Sequence, residues 1–105
     1  MTTFTRAEAE AVLPKVRPLL EDLQRRVAAY RRRPSDPVAR EIEALLREVA
    51  ELGVEVKDPD RGLIDFRSER RGRELYLCWQ LGEGSRIAFW HDLESGFAGR
   101  KIIED

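Results

Sequence analysis

The spacing of apolar residues changes once along this chain, at Gly53, and that change fixes what it can fold into. Upstream, Leu13, Val16, Leu20, Leu23, Val27 and Tyr30 recur at alternating intervals of three and four, and so do Val38, Ile42, Leu45, Val49 and Leu52. Each set forms one apolar stripe on a helix. Downstream, the period falls to two, the signature of strands. Neither helix can hide its stripe alone, so two helices joined by the Pro34–Pro37 turn predict an antiparallel hairpin lying on a sheet. The fold class is therefore α+β in a single domain of 105 residues, with residues 5–53 forming the hairpin and 54–105 the sheet and tail.

Local signals set the element ends. Thr5 and Glu8 fit a capping box, and Arg31, Arg32 and Arg33 close the first helix in the order its dipole favours. Pro14 and Pro18 interrupt the first stripe. Each lacks a backbone N–H, which predicts a kink near Pro14 or a restart of the helix after it. Asp36 followed by Pro37 reads as N-cap and first helical position of the second helix, and Gly53 as its terminator. The sheet is expected to be an antiparallel meander of three to four strands. Its clearest strand is Glu74–Leu81, with the turns at Asp58–Gly62, Arg71-Gly72 and Gly82–Ser85.

Strand pairing brings the reactive residues together. If Leu81 pairs with Arg86, then Tyr76 lies opposite His91 and Cys78 opposite Phe89. If Ser68 pairs with Arg73, Asp65 lies opposite Tyr76. Alternation then puts Asp65, Tyr76, Cys78 and His91 on one face, and Leu75, Leu77, Trp79, Ala88 and Trp90 on the other. Asp65, Cys78 and His91 are zinc-ligating residue types, and Glu83 or Glu94 can join them from loops. The candidate metal ligands are Asp65, Cys78, His91 and Glu94, for zinc or a similar divalent ion. The donors come singly from separate strands, without a C-x-x-C or H-x-x-x-H pair. The competing structural reading has His91 hydrogen-bonded to Tyr76 or Asp65, and Cys78 as a small buried hydrophobe. A nucleophilic Cys78 is disfavoured because mid-strand burial raises a thiol's pKa.

Charge narrows the partners. The chain holds 19 basic and 20 acidic residues, and this near-balance argues against a general nucleic-acid or membrane binder. Arginine clusters at Arg25–Arg33 and Arg67–Arg73, near Trp79 and Trp90, leave RNA binding as the third functional expectation. Apolar residues on both sheet faces, and a first helix longer than the second, predict a homodimer. No apolar run approaches the roughly 20 residues of a membrane span, and the polar N-terminus does not read as a signal peptide. A lone cysteine forms no internal disulfide. A cytoplasmic setting is expected. Sixteen arginines against three lysines, no asparagine and two glutamines suit a protein working at high temperature.

The chain also resembles a known family. The resemblance rests on Phe4-Thr5 with Glu8-Ala9 and Leu13-Pro14, then Leu52–Lys57, Gly62–Phe66, Leu77-Cys78-Trp79, Gly82-Glu83, Trp90-His91 and Gly96-Phe97-Ala98-Gly99-Arg100. These are similar to the bacterial domain-of-unknown-function family numbered 2203. That likeness implies a small stand-alone bacterial protein and brings no activity with it. It also implies that Asp65, Cys78, Trp79, Glu83, His91, Gly96 and Arg100 belong to the family pattern, which favours a site over pure scaffold. The candidate site is thus Asp65, Tyr76, Cys78, Trp79, Glu83, Trp90, His91, Glu94 and Arg100. A non-catalytic, dimeric binding module is the first functional expectation, and a metal-binding protein or metal-dependent enzyme the second.

Overall fold

The structure, a computed structural model, describes residues 3–104. Two helices precede a five-stranded antiparallel meander: α1 (Arg6–Arg32), α2 (Asp36–Glu51), β1 (Glu55–Asp58), β2 (Leu63–Arg70), β3 (Arg73–Trp79), β4 (Phe89–His91) and β5 (Lys101–Ile102), in sheet order β1-β2-β3-β4-β5. The sheet thus has five strands rather than three or four. The surplus comes from two short edge strands, which sequence patterning signals weakly.

The capping box at Thr5 forms in full. Thr5 Oγ1 accepts from the Glu8 N–H at 3.1 Å, and Glu8 Oε1 accepts from the Thr5 N–H at 2.8 Å. The expected restart after Pro14 does not occur: α1 is one element of 27 residues that runs through Pro14 and Pro18. Both prolines are exposed and lie off the buried stripe of α1, so their rings do not intrude on the core. The cap of α2 lies one residue earlier than expected. Ser35 accepts from the Val38 N–H at 3.3 Å, while Asp36 and Pro37 are already helical. Serine is an equally good cap, and proline is tolerated in the first turn, where its missing N–H has no intrahelical acceptor.

The helical hairpin packs on one sheet face. Ala9, Leu13, Val16, Leu20, Leu23, Leu45 and Val49 meet Ile64, Phe66, Leu75, Leu77 and Trp79 in a continuous core. Phe4 closes its end, edge-on to Phe66 with ring centroids 5.2 Å apart, and its N–H donates to the Arg67 carbonyl at 2.7 Å. Ser68, also on this face, donates from Oγ to the Phe4 carbonyl at 2.6 Å. Ile87 joins the same core, although alternation from Phe89 predicted the opposite face. The reason is that Arg86–Ala88 are not strand. Glu10 accepts from the Ile87 N–H at 2.8 Å and draws that segment toward α1.

The β2–β3 hairpin is tighter than expected. Arg70 pairs with Arg73, so Asp65 lies opposite Cys78 and Arg67 opposite Tyr76. Arg71 and Gly72 both have positive φ, 55° and 77°, which is the two-residue turn compatible with strand twist. The register differs by two residues from the sequence expectation. An even offset leaves every side chain on its predicted face. In the β3–β4 pair, Tyr76 lies opposite His91 and Cys78 opposite Phe89, as expected.

Candidate metal centre

The sheet face away from the helices carries Asp65 and Arg67 on β2, Tyr76 and Cys78 on β3, and Phe89 and His91 on β4. Segment 93–100 folds across it and leaves a solvent-open cavity of about 450 Å³. Asp65, Cys78 and His91 line that cavity and are all buried. One ligating atom from each lies within 4.8 Å of the others. Donors on one tetrahedral zinc sit about 3.3–3.8 Å apart, given bond lengths of about 2.0–2.3 Å. Closing the cluster onto an ion therefore takes side-chain movement of about an ångström, within rotamer reach.

The hydrogen bonds of His91 decide what this cluster can hold. Nδ1 lies 2.7 Å from the Asp92 carbonyl oxygen, which can only accept, so Nδ1 carries the proton. Nε2 lies 2.9 Å from Asp65 Oδ2, another acceptor. Two lone pairs face each other there unless a second proton or a cation lies between them. The other carboxylate oxygen, Asp65 Oδ1, is buried and has no hydrogen bond. A carbonyl that fixes Nδ1–H and frees Nε2 is the usual support of a metal-bound histidine.

Cys78 completes the set. Burial, and then the neighbouring Asp65 carboxylate, push its thiol up to about 12, against the opposing pull of Arg100. Its proton stays on at neutral pH, so the metal-free thiol is a poor nucleophile. A bound dication would displace that proton, as metals do at coordinating thiols.

The remaining candidates divide. Tyr76 lines the cavity, and its hydroxyl donates to Glu55 Oε1 at 3.1 Å and accepts from Arg67 at 3.2 Å. Glu94 stands exposed at the rim, outside the donor cluster. Glu83 is already engaged. Its Oε1 accepts from Arg100 at 2.7 Å and from the Gln80 N–H at 3.1 Å, and its Oε2 from the Gln80 amide at 3.2 Å. Arg100 stacks on Phe89 and Phe97, 3.9 Å and 4.8 Å from the ring centroids, and pins the tail over the sheet. Trp79 and Trp90 lie on the helix-side face. The Trp79 indole N–H donates to the Gly84 carbonyl at 3.1 Å, so it serves the loop and core rather than the site.

Sequence reasoning missed the cavity wall: Lys57 and Asp58 at the end of β1, Arg61 in the turn, Leu63 at the start of β2, and Leu93 and Phe97 from the tail. Phe97 is 36% exposed and held between Arg61 and Arg100. Its signal was the excess of apolar residues on the second sheet face, which the chain's own tail partly covers.

A family model described as an uncharacterized conserved protein, DUF2203, matches residues 28–103. The chain belongs to this family. The DUF2203 match contains Asp65, Cys78, His91, Glu83 and Arg100, while the Phe4–Pro14 part of the resemblance lies outside it. No curated protein and no solved structure matches the chain. Among the described residues, no helix is long and apolar enough to cross a membrane.

Proposed function

We propose that this DUF2203 protein binds a divalent transition metal, zinc or a close relative, through Asp65, Cys78 and His91. The observation that carries the reading is the orientation of His91. Its Nδ1 proton is committed to the Asp92 carbonyl, and its Nε2 faces a carboxylate across a contact that needs a proton or a cation, beside a buried, unbonded carboxylate oxygen. A dication satisfies Nε2, Asp65 and the Cys78 sulfur at once. The mixed sulfur, nitrogen and oxygen set favours zinc over magnesium or calcium, which take oxygen ligands. Elemental analysis of protein purified without an affinity tag tests this. One equivalent of metal per chain, lost in both Cys78→Ser and His91→Ala, supports it. Metal-free protein that takes up no added zinc overturns it.

A second reading, a homodimer, rests on a separate groove of about 1090 Å³ on the helix-side face of the sheet. Its floor is Leu75, Leu77 and Trp90, and at its edge Ile102 is 68% exposed. Arg70, Arg71, Arg73 and Lys101 rim it, and α2 of a second copy offers Glu43, Glu48 and Glu51 on an exposed face. Sedimentation tests this reading. A dimer that dissociates in high salt or in Arg70→Glu supports it, and a monomer at all accessible concentrations overturns it.

A further inference from the structure

We infer that the Asp65–Cys78–His91 centre keeps one coordination position open to the cavity, and that this position takes a donor atom of a small anionic ligand. The inference rests on the metal reading above and deepens it. Structural zinc sites are closed by four protein donors, whereas sites that exchange ligands keep three and leave the fourth position to water or substrate. Among the described residues, the cluster has three donors. The carboxylates nearest to joining it are otherwise placed: Glu83 is bound to Arg100 and Gln80, and Glu94 is out at the rim.

The surroundings suit a ligand rather than a structural staple. The three donors lie on the wall of a cavity of about 450 Å³, within the size range of small-molecule sites. Leu63, Leu93 and Phe97 give the cavity apolar walls. Lys57 and Arg61 bring two cations to it, each 4.9 Å from an aromatic centroid, Tyr76 and Phe97 respectively. Each is already ion-paired, Lys57 with Glu55 at 2.9 Å and Arg61 with Asp58 at 3.8 Å, so the two cations are held at the cavity by carboxylates that a stronger anion would have to share. A dication bound by one thiolate, one carboxylate and one neutral imidazole carries no net charge. An incoming anion then takes the open position on the dication itself, with Lys57 and Arg61 close by and shared with Glu55 and Asp58. The predicted ligand therefore has an anionic head on the metal and a short apolar body against Leu93 and Phe97.

Cobalt(II) reports both layers of the claim. The full chain loaded with cobalt and titrated with sodium azide should show a thiolate charge-transfer band on loading. The visible bands should then shift with azide and saturate at one azide per cobalt. Leu93→Trp narrows the mouth without touching a donor. It should weaken azide binding by about tenfold or more while leaving the azide-free spectrum unchanged. Cobalt bands that ignore azide would overturn the open position while leaving the metal site standing. So would an azide-free spectrum altered by Glu94→Gln, because Glu94 would then be the fourth ligand. Absence of any thiolate–cobalt band would remove the metal reading itself.

Discussion

His91 Nε2 lies 2.9 Å from Asp65 Oδ2, although the residues are 26 positions apart and β3 runs between their strands. Both side chains reach across the face of β3 beside Cys78, and both are buried, 3% and 2% exposed. In the metal-free protein a proton between Nε2 and Oδ2 makes this contact a buried hydrogen-bonded pair, and removing one partner strands the other in a poorly solvated site, which costs about 3–5 kcal/mol in measured buried pairs. His91→Ala and Asp65→Ala should each destabilise the metal-free protein by about that amount. The double variant should cost clearly less than the sum. Urea unfolding of the four proteins gives the coupling, and additive losses would contradict a direct pair.

The Cys78 thiol sets an alkaline limit. Its pKa rises from 9.0 to about 12 through burial and the Asp65 charge. Between these values the unfolded chain has released the thiol proton and the folded protein still holds it, so stability falls as pH rises. Below pH 9 both states hold the proton and the contribution is fully present. The difference in unfolding free energy between wild type and Cys78→Ala should therefore be flat up to about pH 9 and decline above it. In the same metal-free fold, iodoacetamide at pH 8 should leave Cys78 unmodified until denaturant is added. Rapid labelling of the native protein would place the thiol elsewhere.

Gly62 is fixed by both conformation and space. Its φ is +60°, and a Cβ there would overlap the Leu81 side chain. Gly62→Ala should cost about 1–3 kcal/mol by thermal or chemical unfolding. Trimming Leu81 as well should recover the steric part and leave the backbone part. An alanine variant as stable as wild type would mean that the β1–β2 turn is built differently.

The start of α2 offers a test of a one-residue distinction. Ser35, not Asp36, caps the helix, through the Val38 N–H. Ser35→Ala should lose about 1 kcal/mol. Asp36→Ala should lose only the few tenths that an acidic first-turn residue contributes through the dipole. The reverse order would restore Asp36 as the cap.

These cases show which parts of the fold the sequence made legible. Both helices follow from apolar stripes, because burial of Leu13, Val16, Leu20, Leu23, Leu45 and Val49 is periodic and local. The site was legible because face assignment depends only on odd or even offset. The β2–β3 register was off by two, yet Asp65 and Cys78 remained on one side. The offset arose because Arg71 takes φ 55°, a conformation that asparagine or glycine would have announced. What alternation does not carry is the path of irregular chain. Ile87 turned to the helices because Glu10 binds its N–H, and Phe97 stayed out because Arg61 and Arg100 flank its ring. Trp79 and Trp90 fell outside the site for the opposite reason: the same alternation that grouped Cys78 with His91 sends both indoles to the other face.

The most direct measurement is X-ray absorption at the zinc edge of stoichiometrically loaded protein. The proposed centre requires one sulfur at about 2.3 Å and nitrogen or oxygen neighbours at about 2.0–2.2 Å, with the sulfur shell absent in Cys78→Ser. A first shell of nitrogen and oxygen alone in the wild-type protein would place the ion away from Cys78 and end this account of the site.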